Sequence, residues 1–107
     1  METTDTSGTP FFDVAATAGE WRCVFFKRMD TVACAQIEKA FLDQLAGIGE
    51  RKVILDVEKV DYVASAFLRL CAMASKAAGG RLAILHPQPT VRKVLKIAGL
   101  EHLAEID

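Results

Sequence analysis

Three kinds of side chain in this sequence have chemistry to offer: one serine at a special junction, three cysteines and two histidines. The serine is Ser65, inside "VDYVASAFLRL" at residues 60–70, where an apolar run ends and a helical pattern begins. A hydroxyl at such a junction suits a catalytic nucleophile, a helix cap or a phosphorylated switch. The nucleophile elbow needs small residues on both sides, in the pattern G-x-S-x-G, and here the flanks are Val63 and Phe67. A bulky Phe two residues after the serine obstructs so sharp a turn. A base would have to be His86 or His102, and nothing in the spacing brings either to Ser65. An enzyme is therefore poorly supported.

Cys23, Cys34 and Cys71 are odd in number and widely spaced, with no C-x-x-C pair and no neighbouring histidine. They read as reduced core thiols in a reducing compartment. His86 precedes Pro87 at a strand end and His102 lies beyond a helix stop, so both read as structural or surface residues rather than ligands. No metal or cofactor is expected. No G-x-G-x-x-G follows a strand, and "AGGR" and "GIGE" lack the spacing and the Lys-Ser/Thr of a phosphate loop. Arg92, Lys93 and Lys96 cluster without interleaved aromatics and read as a solvated face. A formal net charge of -1 supplies no broad attraction for nucleic acid or anionic membranes. The longest stretch without a charged residue, 82–91, is about half of what a membrane-spanning helix needs. With no secretory signal in view, the expected location is the cytoplasm.

A chain of 107 residues, 51% hydrophobic and 25% charged, is sized and composed for one globular domain. Residues 1–10 are polar and carry Gly8 and Pro10, which predicts a flexible tail; residues 11–107 form the expected domain. "FFDVAAT" and "WRCVFFKRM" read as two strands about a turn at Ala18, Gly19 and Glu20, the second alternating with the period of a strand. A helix starts near Asp30 or Thr31, both good caps, with Ala33, Ile37, Ala40, Phe41 and Leu45 on one face and Gly47 and Gly49 at its end. "KVILDV" is apolar enough for a strand covered on both faces.

The next helix runs from Ser65 to Ala78. Its period puts Phe67, Leu70, Cys71, Ala74 and Ala78 inward, and Ser65, Arg69, Ala72, Met73 and Lys76 outward. "RLAILH" is a second buried strand. Thr90 caps a third helix, "VRKVLKIA", whose inner face is Val91, Val94, Leu95 and Ala98, with Gly99 as a left-handed stop. "AEID" is a short last strand. The order β-β-α-β-α-β-α-(β) implies a small α/β fold. Its mixed sheet has parallel strands joined by right-handed crossovers and an antiparallel edge.

Three segments resemble the STAS domain, the fold of bacterial anti-sigma factor antagonists: "FFKRMDTVACAQIEKAF", "KVILDVEKVDYVASAFLRL" and "PTVRKVLKIAGLEHLAEI". Together they cover roughly residues 11–107 in the family's order. The family's central turn usually reads Asp-Ser-Ser-Gly-Leu, and those positions hold Ala64, Ser65, Ala66, Phe67 and Leu68. The serine that partner kinases phosphorylate falls on Ser65. The family's acid before the first helix falls on Asp30, and Lys27 replaces the Gly usual three residues earlier.

The resemblance implies a partner-switching regulator that is not an enzyme. Its partners would be a GHKL-type serine kinase acting as anti-sigma factor, and a PP2C-like phosphatase. The partner face would comprise Asp30, Ala64, Ser65, Arg69, Met73 and Lys76, with Ser65 phosphorylated. Under the alternative, the domain is a constitutive, non-phosphorylated STAS adaptor, such as a cytosolic subunit docking on a transporter, and Ser65 is only the helix cap.

Overall fold

The computed structural model describes residues 11–107; the tail expected at 1–10 lies outside the described residues. Among the described residues, five strands and three helices follow in the order β1 (Phe12–Ala16), β2 (Glu20–Phe25), α1 (Thr31–Leu45), β3 (Lys52–Asp56), α2 (Ser65–Ala77), β4 (Leu82–Leu85), α3 (Pro89–Ile97) and β5 (Glu105–Ile106). A short 3-10 turn, Leu100–His102, precedes β5. The strands lie in one sheet in sequence order, β1-β2-β3-β4-β5. Only β1 and β2 are antiparallel, as two adjacent strands joined by a tight turn must be; the other pairs are parallel. This is the mixed sheet that the alternation of elements predicts, with Lys52–Asp56 and Leu82–Leu85 as paired parallel inner strands.

The strand period sorts the side chains. Trp21, Cys23 and Phe25 of β2, Val53 and Leu55 of β3, and Leu82 and Ile84 of β4 enter one core together with residues from all three helices. Its centre is aromatic: Phe41 of α1 meets Phe12, Trp21 and Phe25 with ring centroids 6.2, 6.0 and 6.0 Å away. The alternate positions, Arg22, Ile54 and Ala83, share a row on the opposite face. There Lys52 of β3 and Glu105 of β5 reach across β4 to an ion pair of 3.2 Å. Gly99 takes φ 80, the left-handed stop that only a residue without Cβ adopts freely.

Four expectations need correction. Ser65 is not the cap of α2: the cap position is Ala64, and Ser65 is the first helical residue. Thr90 is not the cap of α3, because Pro89 supplies the first helical residue and moves the cap to Gln88. The α3 face is narrower than its period suggests: Val91 and Leu95, one turn apart, are buried, whereas Val94 and Ala98 are exposed. Met29 is not part of the second strand, which ends at Phe25; it returns to the sheet as an isolated bridge to Val63.

Candidate functional site

That bridge builds the site. Met29 N–H donates to the Tyr62 carbonyl at 2.8 Å, and Ala64 N–H donates to the Met29 carbonyl at 2.9 Å. The two bonds hold the connections after β2 and β3 side by side. Asp30 follows one and Ser65 the other, so the approach of Asp30 to the start of α2 is a property of the backbone. Arg28 stacks on Tyr62, 4.9 Å from the ring centroid, and closes the outer side of the same junction.

The two helix starts are satisfied differently. Asp30 is the cap of α1, and its Oδ1 accepts from Ala33 N–H at 2.8 Å. Arg28 lies 4.0 Å from the other carboxylate oxygen. Ala64, in extended conformation at φ -94° and ψ 169°, offers α2 no side-chain cap. Phe67 N–H turns back to the Ala64 carbonyl at 2.9 Å. The amides of Ser65 and Ala66 have no backbone acceptor among the described residues. Ser65 itself is exposed, and Ala64 is only 8% exposed. Phe67 is buried edge-on against Phe25, with centroids 5.1 Å apart.

Below Ser65 the outward face of α2 runs down to Lys76. Arg69 is not free: its Nη2 donates to Glu38 Oε1 of α1 at 2.6 Å, and its Nη1 lies 3.4 Å from Met73 Sδ. Met73 is half-buried against the core, more enclosed than its helical angle predicts. Lys76 is exposed and, with Met73, Leu42 and Ala46, lines a shallow apolar groove of about 400 Å³ between α1 and α2. Sequence reading missed Glu38. Its partner is 31 residues away, and only its place beside the buried Ile37 signals that it faces the neighbouring helix.

The arrangement is suited to binding. His86 pairs with Asp56 and His102 lies beside Glu101. All three cysteines are free and buried. Burial pushes each thiol up, that of Cys34 to about 11, which keeps them protonated and unreactive near neutral pH. No helix among the described residues is long and apolar enough to cross a membrane.

Comparisons with known proteins converge on one family. A family model described as "Mlab, STAS domain" matches residues 28–105. BtrV of Bordetella bronchiseptica, whose name assigns it as an anti-sigma factor antagonist, is 32% identical over 76 residues. That alignment covers 68% of this chain and 58% of BtrV, so the chain spans little more than half of that relative. An anti-sigma-factor antagonist (STAS) domain protein from Planctomyces limnophilus has a similar structure, with TM-score 0.79 at 24% identity over 90% of this chain and 89% of the other. The Bacillus cell fate determinant SpoIIAA, solved in its phosphorylated form, gives TM-score 0.67 at 22% identity over 90% of each chain.

Proposed function

The chain belongs to the STAS domain family, and from that premise we propose that it is a partner-switching regulator controlled by phosphorylation of Ser65. In this reading the unmodified protein binds a GHKL-type serine kinase that acts as an anti-sigma factor, and a PP2C-like phosphatase restores it. Both reactions take place in the cytoplasm. The protein acts by binding rather than by catalysis. The observation that carries the reading is the start of α2: an exposed hydroxyl on the first helical residue, beside amides with no backbone acceptor, at the head of an outward helix face.

A phosphate on Ser65 would stand at a helix N-terminus, where free N–H groups and the helix dipole favour an anion. It adds about -1.5 to -2 charge. Against an acidic partner group at ~5 Å and an effective dielectric near 20, each unit charge costs roughly 3 kcal/mol before screening. Half of that already weakens binding by about tenfold. Asp30, Arg69, Met73 and Lys76 complete the proposed contact surface, to which the nearly buried Ala64 contributes mainly backbone.

Ala64 and Phe67 favour a second reading, because the first lacks the family's acid and the second its glycine. Under that reading the domain is a constitutive adaptor that docks without modification. Pull-down from the native cell, with mass spectrometry, identifies the partner. Incubation with that partner and ATP should add one phosphate at Ser65, and Ser65→Asp should lower affinity, though less than phosphate does. A captured partner that leaves Ser65 unmodified and binds Ser65→Asp as tightly as the native chain would replace the switch with the adaptor.

A further inference from the structure

The other end of the β3–α2 connection holds a cluster that the STAS reading does not use. Asp56 ends β3, Glu58 follows it by two residues, and His86 follows β4; one ligand atom from each lies within 4.8 Å of the others. Asp56 Oδ1 stands 3.4 Å from His86 Nδ1 and also accepts Glu58 N–H at 3.1 Å. Arg22 Nη1 lies 3.8 Å from the other carboxylate oxygen, Oδ2, leaving Oδ1 turned towards the imidazole. Outside the cluster, Gln88 Nε2 donates to the Glu58 carbonyl at 3.0 Å, tying the two connections together. His86 N–H faces Asp107 Oδ2 at 3.4 Å.

We propose that Asp56, Glu58 and His86 form a divalent transition-metal site of the zinc class. The Asp56–His86 separation is long for a hydrogen bond between charged groups, which closes to roughly 2.7–2.9 Å. It matches two ligands of one tetrahedral ion: bonds of roughly 2.0–2.1 Å at the tetrahedral angle put nitrogen and oxygen about 3.3–3.4 Å apart. The ligand set, one imidazole and two carboxylates, suits zinc, cobalt or nickel better than calcium or magnesium. Two carboxylates against one guanidinium leave net negative charge for the cation. Glu58 is exposed and free to swing in, and the remaining coordination positions go to water. An ion here would clamp the β3–α2 connection, which leads on to Ser65, against the β4–α3 connection. The site does not depend on the switch reading.

The chain has only two histidines, so the test has an internal control. Metal-free protein is titrated with Zn²⁺ by calorimetry, and both imidazoles are followed by nuclear magnetic resonance. One equivalent should bind, shifting the His86 ring and not that of His102, with the buried thiols taking no part. His86→Asn, chosen because asparagine tolerates the φ of 60° at this position, should weaken binding at least about tenfold, and Glu58→Gln should do the same. His102→Ala should leave it unchanged. Absence of saturable binding at millimolar Zn²⁺, or equal affinity in His86→Asn, would overturn the site. So would a His86 ring that responds to pH and not to Zn²⁺, since a proton then bridges the pair.

Discussion

The starts of α1 and α2 lie on the same edge of the sheet, locked together by the Met29–Val63 bridge, and are built in opposite ways. At the third helical position of α1, Ala33 is small and its N–H is taken by the Asp30 carboxylate. At the third position of α2, Phe67 N–H bends back to a backbone carbonyl and the side chain is a buried ring. One start is fixed by a polar cap, the other by an apolar anchor. A carboxylate cap occupies the anion position at α1. The apolar anchor fixes α2 from below and leaves that position open beside Ser65. The modification proposed at Ser65 would fill that open position.

The sharpest way to break the contrast is to exchange the anchors. Phe67→Gly restores the glycine usual in the family but removes a ring that touches Phe25 in the core. Loss of a buried Phe costs about 3–5 kcal/mol, and glycine in a helix adds up to about 1 kcal/mol. Ala33→Gly, the same position in α1, should cost about 1 kcal/mol, since little side chain is lost and the cap remains. Urea denaturation of both variants measures the gap. Equal midpoints would mean that the ring does not hold the start of α2.

The caps give the next effect. Asp30→Ala should destabilise by about 1 kcal/mol, the ordinary worth of a side-chain cap. Ser65→Ala should cost less than about 0.5 kcal/mol, because Ser65 stands one residue past the cap position and is exposed. Ala64→Ser should stabilise α2 by a comparable fraction of a cap, and would close part of the open N-terminus. If Ser65→Ala cost as much as Asp30→Ala, the serine would be a structural residue after all.

The contrast also marks what the sequence could convey. Alternating apolar positions in "WRCVFF" and the apolar run in "KVILDV" carried the strands and their parallel order, because burial enforces those patterns along the whole chain. Asp30 was legible as a cap because the helical pattern begins directly after it. The start of α2 at Ser65 was legible, but the cap was not: hydroxyl chemistry favours Ser65 as a cap, and the extended backbone of Ala64 has no side-chain signal. The exposed Val94 was not legible because the period marks an apolar side of α3 but not how much of that side the sheet covers. Arg69–Glu38 and Asp56–His86 were not legible at all. Each joins residues about 30 apart through tertiary packing, which no local period encodes.

The finest difference between the two starts is electrostatic, and it is written into Cys34, one residue beyond Ala33. Its Sγ lies 3.7 Å from the Met29 carbonyl oxygen, at the junction itself. Burial pushes the thiol up from 9.0 to about 11; Asp30 and Glu38 add to the rise and Arg69 opposes it. Below pH 9 the folded and unfolded chains both keep this proton, and the thiol has no effect on stability. From 9 to about 11 the unfolded chain gives the proton up while the folded chain retains it, so stability falls as pH rises. Cys23 and Cys71, also raised by burial, act in the same direction. Urea midpoints measured across that window should drop less steeply in Cys34→Ala, the comparison that removes the background from lysines and tyrosine. Asp30→Asn should move the upper end of that window, where the folded chain also gives up the proton, slightly downward, and Arg69→Gln should move it slightly upward, as the charges near the two helix starts pull on one thiol. An upper end that ignores both substitutions would mean that Cys34 senses burial alone.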